Sequence, residues 1–201
     1  MTTSGANRAA LRTWPDLAGR LVQLDGRQAH MLPIRVYFED TDFSGLVYHA
    51  SYVRWCERGR SDFLRLLGSE HRALMEGTPV AGGLPEAHAP VAVWATEGAT
   101  KTPPVAGGQP EVPPKTEPSA FVVRRLNLEY LRPAHIDDVL EVTTRVKELT
   151  AATLVLDQRV SRGAEVLCTA EVTVVLVSQS GKVLRLSRAL RGALAAGKRE
   201  V

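Results

Sequence analysis

The sequence predicts an α+β fold in which an antiparallel sheet of about five strands wraps around one long helix. Three observations lead there. An alternating segment, Met31 to Phe38, is followed by a helical pattern from about Ala50 to Gly68. Four segments rich in Val, Leu and Thr then fill Phe121 to Val177. The separators between those four are short enough for turns between antiparallel neighbours. One helix among several strands can bury its apolar surface only against the sheet.

Taken in order, residues 1–30 mix small, polar and basic residues with Pro15, Gly5, Gly19 and Gly26, and read as an N-terminal arm. In Met31 to Phe38, Ile34, Val36 and Phe38 alternate with Arg35 and Tyr37, as in a half-buried strand. Asp40-Thr41-Asp42-Phe43-Ser44-Gly45 is turn chemistry. In the helix that follows, Tyr52, Cys56, Gly59, Phe63 and Leu67 share one stripe, while Arg54, Arg58, Arg60 and Arg65 lie elsewhere. Val53, Trp55, Leu64 and Leu66 broaden the apolar surface, so other elements should cover most of this helix.

Between Gly77 and Pro118 fall nine of the twelve prolines and six of the sixteen glycines, a density that excludes an interior strand or long helix. Residues 77–117 therefore read as an inserted loop. The strands expected next are Phe121 to Tyr130, Val139 to Lys147, Thr153 to Ser161 and Glu165 to Val177, joined as a meander through Arg132-Pro133, Thr150-Ala151 and Arg162-Gly163. Leu140, Val142, Thr144 and Val146 alternate with Val139, Glu141, Thr143 and Arg145, which gives one apolar face. Ser187 to Ala196 has helix-forming composition. The chain's 201 residues exceed one ordinary domain of about 100–150 residues. The arm and the insertion absorb that excess, leaving a single domain over 31–197.

With 44% hydrophobic and 23% charged residues, the composition excludes a wholly disordered chain. Two cysteines, Cys56 and Cys168, without a charged start and apolar h-region, point to a reducing cytoplasm. No apolar run approaches the ~20 residues that span a bilayer, so at most peripheral membrane association is expected. A net charge of +3 favours anionic partners only mildly: phosphate-bearing small molecules fit, a dedicated nucleic-acid domain does not.

The run Val36-Tyr37-Phe38-Glu39-Asp40-Thr41-Asp42-Phe43-Ser44-Gly45-Leu46-Val47-Tyr48-His49-Ala50-Ser51-Tyr52, with Glu57-Arg58 after it, resembles the signature of the hot-dog acyl-CoA thioesterases of the 4-hydroxybenzoyl-CoA thioesterase type. Within that group the chain is most similar to the Tol-Pal-associated, YbgC-type thioesterases. The similarity continues through Phe121-Val122-Val123, Leu126 to Tyr130 and Asp137 to Leu140. It implies a hot-dog domain that hydrolyses acyl thioesters of coenzyme A, or of acyl carrier protein, without a cofactor. It also implies a homodimer or homotetramer. The alternative is a non-catalytic acyl-carrier-binding or scaffold protein of the Tol-Pal envelope system, which would need neither Asp42 nor His49. A hydratase of the same fold is the rival enzyme, but its usual motif is not seen.

Asp42 can shape its turn, the usual use of an aspartate there, or act on a thioester carbonyl as base or nucleophile. The resemblance implies the catalytic role. Asp40 reads as a turn residue or as support. Free backbone N–H groups where Val47-Tyr48-His49 enters the helix can stabilise an oxyanion. The resemblance assigns that to His49, with Tyr48 second, and makes the His49 imidazole part of the site. Phe38 stands where many relatives carry a second tyrosine.

Glu57 shares a face with residues 49 and 53 and could support His49 or a water, although a salt bridge with Arg60 or Arg54 is its more ordinary use. Arg124 and Arg125 could meet coenzyme A phosphates or simply decorate a solvated strand. Cys56, on the apolar stripe, reads as a buried structural thiol. The five histidines (His30, His49, His71, His88, His135) and the cysteines lack metal-site spacing, and no Gly-x-Ser-x-Gly elbow occurs.

Overall fold

A computed structural model describes residues 18–69, 71–77 and 117–195. The proline-rich insertion, apart from its ends, and the first part of the arm lie outside the described residues. Strands β1 (Arg20–Leu24) and β2 (Arg27–Arg35) precede helix α1 (His49–Leu66) and the short α2 (His71–Glu76). Strands β3 (Ser119–Tyr130), β4 (Val139–Leu149), β5 (Thr153–Arg162), β6 (Glu165–Ser178) and β7 (Val183–Leu184) follow, then helix α3 (Arg188–Ala195). The strands form one sheet in the order β1-β2-β4-β5-β6-β3, with β7 also on β6. Every pairing is antiparallel. The α+β expectation holds; the sheet has seven strands among the described residues, not about five.

Two corrections follow from local chemistry. Residues 20–30, assigned to the arm, form most of a hairpin. Asp25 (φ 53°) and Gly26 (φ 72°) take the left-handed conformations that a two-residue hairpin turn requires, and Asp-Gly suits them. This hairpin places β2 at 27–35 instead of 31–38, and leaves Tyr37 and Phe38 exposed in the chain leading to a single 3-10 turn, Phe38–Asp40.

The second correction concerns the meander. It holds for β4-β5-β6, but β3 pairs with β6 at the far edge, and β4 pairs with β2. The β3–β4 connection does not close a hairpin because its backbone is used elsewhere. Ala134 O accepts the Val47 N–H at 2.9 Å, and Asp137 N donates to Val36 O at 3.1 Å.

Helix α1 packs its expected stripe inward: Tyr52, Cys56, Gly59 and Phe63 are all buried, with Trp55 and Leu64 beside them. They meet Leu140, Val142, Leu156, Val160 and Val172 from the sheet. Each large apolar side chain buried there contributes about 1.5–3 kcal/mol relative to exposure. The alternation in β4 is as expected, with Leu140, Val142, Thr144 and Val146 buried. Helix α1 ends where expected: Gly68 (φ 82°) and Ser69 donate to the Arg65 and Leu64 carbonyls, both at 2.9 Å, closing a Schellman motif.

Helix and sheet pack tightly at Gly59, where an added Cβ would lie 3.0 Å from Val142 Cγ1 and 3.2 Å from Thr144 Oγ1. Opposite it, the buried Gln158 Nε2 donates to Cys56 O (2.8 Å) and Thr144 Oγ1 (2.9 Å). Gly59→Val is expected to cost about 1–3 kcal/mol through overpacking. Urea denaturation measures it, and an unchanged midpoint would show that α1 can shift outward without loss.

Candidate active site

The turn from Thr41 to Val47 is a tight loop whose ends meet in an isolated bridge. Asp42 N donates to Leu46 O and Gly45 N to Asp42 O, both at 3.0 Å. Gly45 sits at φ 76°, a left-handed conformation that glycine adopts without strain. A second bridge, Leu46 to His135, joins the turn to the β3–β4 connection. The loop is thus held from both sides.

At its tip the exposed Asp42 carboxylate accepts two hydrogen bonds on Oδ1, from the Ser44 N–H (2.8 Å) and the Ser44 hydroxyl. The hydroxyl, then the N–H, lowers the Asp42 carboxyl below its ordinary value. Oδ2 has no partner among the described residues. One oxygen is therefore fixed, and the other is open to solvent and ionised at neutral pH.

Asp40 is buried and structural. Its Oδ2 accepts the Tyr37 N–H (3.1 Å), and its carbonyl accepts the Tyr48 N–H (2.8 Å) and the Ser51 hydroxyl (3.3 Å). The contact with Arg54 is longer, 3.7 Å, and Arg54 is 59% exposed, so that ion pair adds little. The Tyr48 N–H is thereby committed. The His49 N–H, at the first helical position, has no acceptor among the described residues, and the helix dipole adds to its pull on an anion.

The His49 ring is exposed, with its centroid 4.3 Å from Tyr48 and 6.4 Å, edge-on, from Tyr130. The Tyr130 hydroxyl donates to His49 O at 3.0 Å. Asp42 and His49 therefore flank one turn at the N-terminus of α1. Glu57 does not join them, nor does it form the expected salt bridge: its carboxylate accepts from the Ser61 hydroxyl at 2.6 Å, and Arg54 turns to Ser51. Arg124 and Arg125 are exposed on β3 beside a bulge, Arg125 about 16 Å along the strand from Tyr130.

Ser44 and Tyr130 are site residues that sequence reasoning missed. Asp-x-Ser is a recognisable turn signal, which could have marked Ser44. Tyr130 approaches His49 across 81 residues, for which no local signal exists. Cys56 is buried, as expected, and burial pushes its thiol up to about 11. Among the described residues no group of three His, Cys, Asp or Glu could hold a metal ion. No described helix is long and apolar enough to cross a membrane.

A family model described as the thioesterase-like superfamily matches residues 36–194. The chain belongs to this thioesterase-like superfamily. The acyl-CoA thioester hydrolase YbgC of Escherichia coli O6:H1 is 34% identical over 72% of the chain and 79% of its own length. The acyl-CoA thioesterase YbgC of Haemophilus influenzae is 32% identical over 72% of the chain and 78% of its own length. A crystal structure of a probable thioesterase from Bartonella henselae shares 34% identity, with a TM-score of 0.59, over 79% of this chain and 99% of that one. The thioesterase-like family, the hot-dog fold and an enzyme rather than a scaffold agree with what the sequence led us to expect.

Replacing Ser44 with Ala removes the side-chain bond that lowers the Asp42 carboxyl most. Its titration midpoint, followed by carboxyl carbon NMR, is expected to rise toward the ordinary aspartate value. An unmoved midpoint would mean Ser44 does not set it.

Proposed function

We propose that this protein hydrolyses acyl thioesters of coenzyme A, with Asp42 as general base or nucleophile. The observation that carries the reading is the Asp42 carboxylate itself, ionised, half-tethered by Ser44 and half-open, on the turn that leads into α1. The relatives from E. coli and H. influenzae, named as an acyl-CoA thioester hydrolase and an acyl-CoA thioesterase, support the substrate class.

In the base route, Asp42 Oδ2 removes a proton from water as the water oxygen bonds to the thioester carbon. The electron pair moved onto the carbonyl oxygen is held by the His49 N–H, a donor type worth on the order of 10²- to 10³-fold in rate. Collapse breaks the C–S bond and the thiolate takes a proton, for which the His49 imidazole is the nearest candidate acid. In the nucleophile route, Asp42 Oδ2 bonds to the carbon, the thiolate leaves, and water hydrolyses the mixed anhydride. The open Oδ2 serves either.

The same reading extends to acyl carrier protein as an alternative acyl donor and to a cytoplasmic location. Nucleotide phosphates fall to Arg124 and Arg125, whose exposure leaves them available. Among the described residues, strand β3 ends the sheet with an unpaired edge, and Val122, Val123 and Leu126 on it are exposed. An apolar edge of this kind is stable when paired with a second copy, so we assign the protein a homodimeric or homotetrameric state.

Asp42→Asn is expected to lower kcat/KM by about 10²-fold or more on acyl-CoA substrates. Turnover at the wild-type level across an acyl-chain panel would remove Asp42 from the mechanism. Single-turnover hydrolysis in oxygen-18 water separates the routes: label in the Asp42 carboxylate means anhydride, label only in the released acid means base.

A further inference from the structure

A backbone donor that stabilises an oxyanion must be fixed in direction and yet unpaired. Helix starts are ordinarily fixed by a cap side chain, which bonds to the free N–H groups and so consumes them. Helix α1 has no such cap: Tyr48 precedes it and makes no side-chain bond to its first turn. Two other contacts hold the start. On one side the Tyr48 N–H donates to Asp40 O at 2.8 Å, and on the other the His49 carbonyl accepts the Tyr130 hydroxyl at 3.0 Å. The His49 N–H lies between these two anchored groups and is itself without an acceptor among the described residues.

The placement of Tyr130 suits this anchoring. It is the last residue of β3, paired with Cys168 in β6. Its ring makes edge contacts with Tyr52 (centroids 5.5 Å, 78°) and with His49 (6.4 Å, 89°), which favour one ring orientation. Tyr52 is fixed in turn, buried in the core with its hydroxyl accepting the Ala134 N–H at 2.8 Å. Burial, and then the neighbouring Cys168, raise the Tyr130 hydroxyl above its ordinary pKa, so it keeps its proton and remains a donor at neutral pH. A carbonyl has two lone pairs, so the His49 oxygen takes this bond without giving up the Val53 N–H of the helical ladder.

We propose that Tyr130 is a positioning residue of the active site: its hydroxyl, through the His49 carbonyl, holds the first turn of α1 so that the His49 N–H points at the developing oxyanion. Tyr130 does not touch the reacting atoms in this role. The proposal rests on the thioesterase reading above and adds to it the group that keeps the oxyanion donor in place. A donor misdirected by fraying of the first turn loses strength only where charge develops, so the loss belongs to kcat and not to KM.

Tyr130→Phe keeps the ring and removes the hydroxyl. On an acyl-CoA substrate it is expected to lower kcat about 3- to 10-fold, the worth of one neutral hydrogen bond, with KM unchanged. Hydrogen exchange gives a readout independent of turnover. The Val53 amide, whose helical partner is the His49 carbonyl, should exchange severalfold faster in Tyr130→Phe, while the Phe63 amide exchanges as in the wild type. Wild-type kcat in Tyr130→Phe would overturn the proposal, as would a loss expressed in KM or a lower kcat with Val53 exchange unchanged. The outcomes also separate this assignment from the role of Asp42. Full turnover in Asp42→Asn would remove the Asp42 chemistry alone, and a lower kcat with faster Val53 exchange in Tyr130→Phe would still support Tyr130 as the anchor. Absence of acyl-CoA hydrolysis by the wild-type protein would overturn both.

Discussion

The contact of Gly59 with the centre of the sheet sets where everything else on α1 points. Without a side chain at that position, the helix approaches Val142 and Thr144 closely enough for Gln158 to reach the Cys56 carbonyl. A side-chain donor that satisfies a helical carbonyl from β5 constrains rotation of the helix about its axis as well as its height. With rotation constrained, Trp55 and Phe63 enter the core, and Glu57 and Arg58 stay exposed. The long helix is therefore keyed to the sheet at its midpoint, and the chemistry of its start and of its outer face inherits that alignment.

At the N-terminal end a second constraint operates through Asp40. Its carbonyl takes the N–H of Tyr48 and the hydroxyl of Ser51, and its carboxylate takes the N–H of Tyr37. One buried residue thereby ties the end of the first strands, the turn and the first helical turn into a unit. Tyr48 donates to Asp40, whereas the next N–H, that of His49, has no acceptor among the described residues. The Asp42 loop can then be small and exposed while its base is rigid.

Much of this was legible in the sequence, for identifiable reasons. The helix and strands β3 to β6 carry sustained periodicities, and the Asp42 to His49 run joins turn chemistry to a helix start within a few residues. The hairpin of β1 and β2 was legible too, through Asp25-Gly26, but the small and polar residues around it masked the signal. What could not be read were the long-range partners. Nothing local says that β3 crosses to β6, that Tyr130 reaches His49, or that Glu57 prefers Ser61 to an arginine.

The two cysteines bear on chemical self-protection. Cys168 lies opposite Tyr130 in the sheet, and Tyr130 in turn touches His49, so a thiol sits one residue removed from the start of α1. Burial raises the Cys168 thiol to about 12 and the Cys56 thiol to about 11. At neutral pH only about one molecule in 10⁴ to 10⁵ carries either thiolate, and the thiolate is the form that would capture an acyl group. The core that positions the helix thus also holds both thiols in the protonated, less nucleophilic form.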